Sequence, residues 1–88
     1  DPHFTEGISN LAGCLYLQGR KGEAVAVYQR AIERRPRVNA LHLNLGDLYA
    51  QEGLEAEAIA QWQRILRYDS SNEEAKRRLA QIWEKQVE

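Results

Sequence analysis

A register of 34 residues constrains this chain more than any other feature. Laid on residues 39–72, residues 5–38 are identical at eight positions: Asn10/Asn44, Leu11/Leu45, Gly19/Gly53, Glu23/Glu57, Ala24/Ala58, Ala26/Ala60, Gln29/Gln63 and Arg30/Arg64. Other pairs are like for like: Ala12/Gly46, Leu15/Tyr49, Val25/Ile59, Tyr28/Trp62 and Ile32/Leu66. A second shift sets Leu79, Ala80, Ile82 and Trp83 on Leu45, Gly46, Leu48 and Tyr49. A fixed period of about 20–50 residues marks stacked supersecondary units, each too small to bury its apolar face alone.

Within the units the apolar residues keep a helical rhythm. Ile8, Leu11, Ala12 and Leu15 fall at i, i+3, i+4 and i+7, one face of a helix. The rhythm returns in Ala24, Val25, Tyr28, Ala31 and Ile32, then in Leu41, Leu45, Leu48 and Tyr49. It continues through Ala58, Ile59, Trp62, Ile65 and Leu66, and through Ala75, Leu79, Ile82 and Trp83. No stretch alternates with period two for long, and β-branched residues are sparse. The pattern predicts an all-α chain of five helices, over about 4–18, 22–35, 39–52, 55–68 and 72–86, with no sheet. Gly19, Gly22 and Gly53 fall between the runs, where helices end. Asn39 is expected to cap the third helix, with Val38 and Leu43 as a hydrophobic staple. Ser71-Asn72-Glu73-Glu74 fits a capping box for the fifth. Such short connections force consecutive helices to pack antiparallel.

The matched positions share a packing logic. Ala12 and Gly46 are small and let the two helices of a unit approach; Ala24 and Ala58 are the small residues facing them. Tyr28 and Trp62 are the knobs beside those contacts. Glycine inside a helix costs ~1 kcal/mol relative to alanine, so Gly46 needs a packing reason.

Here the pattern becomes nameable. Leu45-Gly46…Tyr49…Gly53…Ala58…Trp62…Ile65 resembles a tetratricopeptide repeat. Residues 5–38 resemble a second copy, through Leu11, Ala12, Leu15, Gly19, Ala24, Tyr28, Ala31 and Pro36. Residues 73–88 resemble the first helix of a third copy, or the solvating helix that closes such arrays. The resemblance departs from the family at His42, where a large aromatic is common, and at Ser70, where proline is. It implies antiparallel helix pairs stacked as a right-handed α-solenoid, with residues 1–88 as one domain. The first helices of the units would line a concave groove that binds a protein or peptide. The chain lacks methionine and begins Asp1-Pro2, which we read as a fragment of a longer protein. In the same phase, Asp1-Pro2-His3-Phe4 falls on Asp69-Ser70-Ser71-Asn72, the expected tail of a preceding repeat. Any targeting segment would lie outside such a fragment, so the compartment stays open.

On that resemblance, the phase off the packing face assigns groove positions. The first helix would give Glu6, Ser9, Asn10, Gly13, Tyr16 and Leu17, and the third Ala40, Leu43, Asn44, Asp47 and Gln51. The fifth would give Glu74, Arg77, Arg78, Gln81 and Lys85. Asn10 and Asn44, 34 residues apart, form a candidate ladder. An amide side chain both donates and accepts, so it can hold a peptide backbone without reading its side chains; the alternative is a pair of solvated asparagines. Tyr16, Leu17 and Leu43 would add apolar contact, or be partly buried against neighbouring helices. Arg77 and Arg78 would take an acidic group, or form a solvated face. Ser9 and Gly13 stand where a clamp for chaperone C-terminal carboxylates would want Lys and Asn. Gly7 and Cys14 occupy the phase held by Leu41 and Leu48 in the next unit, and so mark an open end where a missing repeat or a second chain would dock.

Composition sets the remaining limits. A net charge of -1 gives no global attraction to nucleic acid or anionic lipid, and no apolar run reaches the length of a membrane span. One cysteine, Cys14, forms no intrachain disulfide. With His3 and His42 it makes no metal set. Neither a phosphate loop, a nucleophile elbow nor a convergent carboxylate pair is present, so no enzyme and no cofactor are expected. The basic turn Arg34-Arg35-Pro36-Arg37 reads as solvated loop charge or as a phosphate contact, without interleaved aromatics for base stacking.

Overall fold

Two glycines with positive φ punctuate the chain, Gly19 at 80° and Gly53 at 78°. Each ends a helix in the same way. Arg20 N–H donates to the Leu15 carbonyl and Gly19 N–H to that of Tyr16; 34 residues on, Leu54 donates to Tyr49 and Gly53 to Ala50. This paired closure satisfies carbonyls that the helix end would leave orphaned, and it places one residue in the left-handed region that only glycine enters without steric cost. The other two junctions repeat as well, without glycine: Arg35 and Asp69 both take φ near -140° and ψ of 80°.

The computed structural model describes residues 3–87, with side chains as far as Lys85. Its helices are α1 (Phe4–Leu17), α2 (Lys21–Arg34), α3 (Asn39–Gln51), α4 (Glu55–Tyr68) and α5 (Glu73–Val87). These lie within one residue of the spans read from periodicity, and no strand occurs among the described residues. Asp1 and Pro2, half of the expected tail of a preceding repeat, lie outside the described residues.

Two expected caps are drawn differently. Asn39 is the first residue of α3, not its cap, and its amide donates to Asp69 across the joint (3.3 Å). Val38 takes the cap position with no side-chain bond, and Val38 and Leu43, the expected staple, pack against different core clusters. At α5 the capping oxygen belongs to Asn72, which accepts the Ala75 amide at 2.9 Å, while Ser71 turns back to Asp69. Asp69 thus gathers Asn39, Ser71 and Asn72 and ties the α4–α5 turn to α3.

Consecutive helices pack on one another, and α1 also touches α3, in a slab of 35 × 29 × 17 Å. The core runs through the stack as two clusters. One holds Ala12, Ala24, Tyr28, Ala31, Leu41, Leu45 and Leu48; the other holds Ala58, Trp62, Ile65, Ala75, Leu79 and Ile82. Tyr49 packs against both. Leu41, Leu45 and Leu48 bury the α3 face that meets α2, and Ala75, Leu79 and Ile82 do the same for α5 on α4, in register. Burial of each such leucine or isoleucine stabilises the fold by about 1.5–3 kcal/mol. The equivalent face of α1 is open: Gly7 and Cys14 are exposed and Leu11 is 50% exposed.

Gly46 has the packing reason its helix cost demands. A Cβ there would come within 3.0 Å of three atoms of the Trp62 indole. The indole N–H in turn reaches the Leu43 carbonyl at 3.4 Å. His42, the departure from an aromatic, is buried with both ring nitrogens engaged, Nε2 with the Pro36 carbonyl oxygen (2.8 Å) and Nδ1 with the Gln61 side-chain oxygen Oε1 (2.9 Å).

Candidate functional site

Three clefts open along the face shared by α1, α3 and α5. The largest, about 600 Å³, lies between α3 and α5 over Trp62 and is edged by Asp47, Gln51, Arg78, Gln81 and Lys85. The second, about 320 Å³, lies between α1 and α3 over Tyr28 and includes Ser9, Gly13, Tyr16, Asn44, Asp47 and Gln51. The third, about 250 Å³, sits nearer the helix N-termini and includes Ala40, Leu43 and Glu74. Asp47 and Gln51 line both larger clefts, which are therefore adjacent on this face.

The helix period explains which side chains reach it. On α3, residues 40, 44, 47 and 51 follow the spacing of one helix face. The same spacing brings 9, 13 and 16 in from α1, and 74, 78, 81 and 85 from α5. Gly13, Tyr16, Leu43, Asn44, Asp47 and Arg78 of the expected residues line these clefts. Glu6, Asn10, Leu17 and Arg77 do not. All four are exposed, Leu17 at 87%. The asparagines consequently differ: Asn10 faces solvent, whereas Asn44 donates to Ser9 Oγ at 2.8 Å.

Two side-chain bonds bridge the first helices of successive units. Asn44 holds Ser9 across α1–α3, and Arg78 holds Asp47 across α3–α5. The latter is a two-pronged ion pair, Nε to Oδ1 at 2.8 Å and Nη2 to Oδ2 at 3.2 Å. The Asp47 bond raises the Arg78 pKa further. At the rim, Tyr16 donates its hydroxyl to Glu52 (2.5 Å), and Lys21 pairs with the other Glu52 oxygen (3.1 Å) while lying over the Tyr16 ring. The Tyr16 hydrogen bond, then the Lys21 one, lowers the Glu52 pKa; the Glu52 bond raises those of Tyr16 and Lys21.

Periodicity alone missed these pairings, because partners 31–36 residues apart meet only when units stack. It also missed Trp62 and Tyr28 as cleft floors, and the Tyr16–Glu52–Lys21 group. The basic turn changes character in three dimensions. Arg35 lies over the Phe4 ring (4.1 Å to its centre) and Arg37 over Tyr68 (4.7 Å). Aromatics absent from the turn's own sequence are brought to it, and they occupy two of its cations. Among the described residues no group of three His, Cys, Asp or Glu is placed to hold a metal, and no helix is long and apolar enough to cross a membrane.

The comparisons with known proteins agree with this geometry. The tetratricopeptide repeat family model matches residues 9–37 and again residues 15–67, together more than half of the 88-residue chain. A search of the curated proteins found no match. Repeats of this family are generally protein–protein interaction modules and typically not enzymes. The five stacked helices, the paired glycine closures, the Gly46–Trp62 contact and the matched model together place the chain in the tetratricopeptide repeat family.

Proposed function

We propose that the face formed by α1, α3 and α5 is a concave groove that takes a peptide or a helix from a protein partner. The carrying observation is that the two larger clefts lie side by side on this face, with Asp47 and Gln51 lining both. On this reading residues 5–38 and 39–72 are the two units, residues 73–88 are the closing helix, and the groove residues are Gly13, Tyr16, Leu43, Asn44, Asp47 and Arg78. Asn44 spends its amide N–H on Ser9 but keeps its carbonyl oxygen to accept a backbone N–H. Arg78 keeps Nη1 to donate, with its charge balanced by Asp47. Panning a phage library of random dodecapeptides on the folded chain tests the groove. Gln51→Trp plugs the joint between the clefts, and it should abolish binding of the selected peptides with the circular dichroism unchanged. Peptides that bind wild type and Gln51→Trp alike would sink the reading.

A second reading rests on a different observation. Gly7, Leu11 and Cys14 are exposed where Leu41, Leu45 and Leu48 are buried, so the α1 end of the stack is open. On this reading the chain is an assembly element whose open end packs against another chain, including a second copy. It expects a concentration-dependent dimer in sedimentation, and a strict monomer across the accessible range removes it.

A further inference from the structure

We infer that the cleft at Gly13 is a pocket for one bulky apolar side chain, and that this side chain anchors the partner segment; the inference rests on the groove reading above. Its starting point is an absence in the sequence register. Thirty-four residues after Gly13 stands Asp47, which fills its position and is held by Arg78. At Gly13 no neighbouring atom lies within 4 Å of where a Cβ would be. Both joints hold a cleft, but the one beside Gly13 is bridged by the neutral Ser9–Asn44 bond and, among the described residues, carries no ion pair of its own, whereas the one between α3 and α5 is crossed by Asp47–Arg78.

The hollow's chemistry selects its occupant. Its floor and walls are Ala12, Tyr16, Tyr28 and Leu48. Ser9 and Asn44, both on its lining, are bonded to each other at 2.8 Å, which leaves the Asn44 oxygen to accept from the backbone of the segment that carries the guest. Asp47, the one charged residue lining it, already accepts two bonds from Arg78. A charged guest would find no free counter-charge and would lose its hydration; an apolar guest loses only water contact and gains burial. At about 320 Å³ the space is at the small end of ligand cavities, suited to a side chain rather than a helix. The neighbouring cleft is different in kind, with Arg78, Glu84 and Lys85 on its edge. A bound segment is thus read for an apolar residue at one joint and a polar stretch at the next.

The dodecapeptides selected on the folded chain provide the probe. Among those displaced by Gln51→Trp, one Leu, Ile, Met or Phe should recur at a fixed position. Replacing it with alanine should weaken binding roughly tenfold or more. Gly13→Leu should weaken the same peptides by a similar factor. That variant folds, because leucine favours a helix over glycine and the site is open, and its melting temperature provides the check. Gly7→Leu, on the open end of the same helix, should leave the peptides unaffected. Groove peptides indifferent to Gly13→Leu, or whose essential residue is charged, overturn the pocket and leave the groove standing. Peptides blocked by Gly13→Leu but not by Gln51→Trp would sit at Gly13 without reaching the second cleft, which overturns the groove and, with it, the anchoring role that rests on it. A library yielding no peptide sensitive to either variant overturns both.

Discussion

In the first helix pair Ala12 and Tyr28 share a buried cluster; in the second, Gly46 lies against the indole of Trp62. The two pairs occupy the same register, yet each divides the volume differently between its small and its large residue. The first gives a methyl to the small side and a phenol to the large one. The second gives up the methyl to admit an indole. Close-packed interiors tolerate swaps that conserve total volume far better than changes on one side alone. Neither pair can therefore be judged from one residue. The joints differ likewise, by a neutral bond at Ser9–Asn44 and by an ion pair at Asp47–Arg78. Position in the stack matters as much as residue type: Leu11 is half exposed, whereas Leu45, identical and in register, is buried.

The largest effect should come from that last contrast. Leu45→Ala removes a fully buried side chain and should cost about 2–5 kcal/mol in a urea or thermal melt. Leu11→Ala, the same substitution one unit earlier, should stay within about 0.5 kcal/mol. Equal losses would mean that the α1 face is covered in solution, by a second copy or otherwise.

The volume compensation comes next. Gly46→Ala should destabilise by about 1–3 kcal/mol through overpacking against Trp62, even though alanine is ~1 kcal/mol better than glycine in a helix. Adding Trp62→Tyr recreates the Ala12–Tyr28 combination and should recover part of the loss, with a coupling of about 1 kcal/mol or more in the double-mutant cycle. Additive losses would break the comparison between the pairs.

Smaller changes separate the joints. Arg78→Ala and Asn44→Ala should each cost on the order of 0.5–1 kcal/mol, since both bonds are partly exposed. Raising ionic strength to about 1 M should shrink the Arg78 effect and leave that of Asn44 unchanged. A salt response shared by both would erase the distinction.

The smallest expected effect concerns the Tyr16–Glu52–Lys21 rim. The folded Glu52 pKa lies below its ordinary 4.5, so the group's contribution is complete above 4.5 and is lost as pH falls through the lowered value. Tyr16 is raised above 10.0, so its share holds below 10.0 and is lost at more alkaline pH. An NMR titration of Glu52 should give a midpoint under 4.5 that returns toward 4.5 in Tyr16→Phe. A midpoint at or above 4.5 in the wild type would show that the bond does not form in solution.

Much of this architecture could be read from the residues. Apolar spacing located the five helices to within a residue, and Gly19 and Gly53 announced the turns that close α1 and α3. The same phase also marked most cleft-lining positions, because a helix that buries one face presents the opposite one. It failed for Glu6, Asn10, Leu17 and Arg77, which share that broad face but lie off the line of the clefts. Identical residues at equivalent positions, such as Asn10 and Asn44, suggested equivalent roles. Their surroundings differ, since only Asn44 has Ser9 opposite it. The caps went wrong for a related reason. Asn39 suits a local cap, but the cap position falls on Val38, and Asn39 donates its amide N–H to Asp69, 30 residues away.

What the sequence determined by itself is periodic and local: the helical class, the 34-residue register, the glycine closures and the sides of each helix that must be buried. These follow from backbone geometry and from apolar area, which act over one or two turns. Tertiary structure alone decided who meets whom. It set Arg78 on Asp47, Arg35 on Phe4, Trp62 on Gly46, and left a hollow at Gly13. Such contacts depend on angstrom-scale distances between residues 16 to 31 positions apart, and those distances exist only once every neighbouring side chain has been packed.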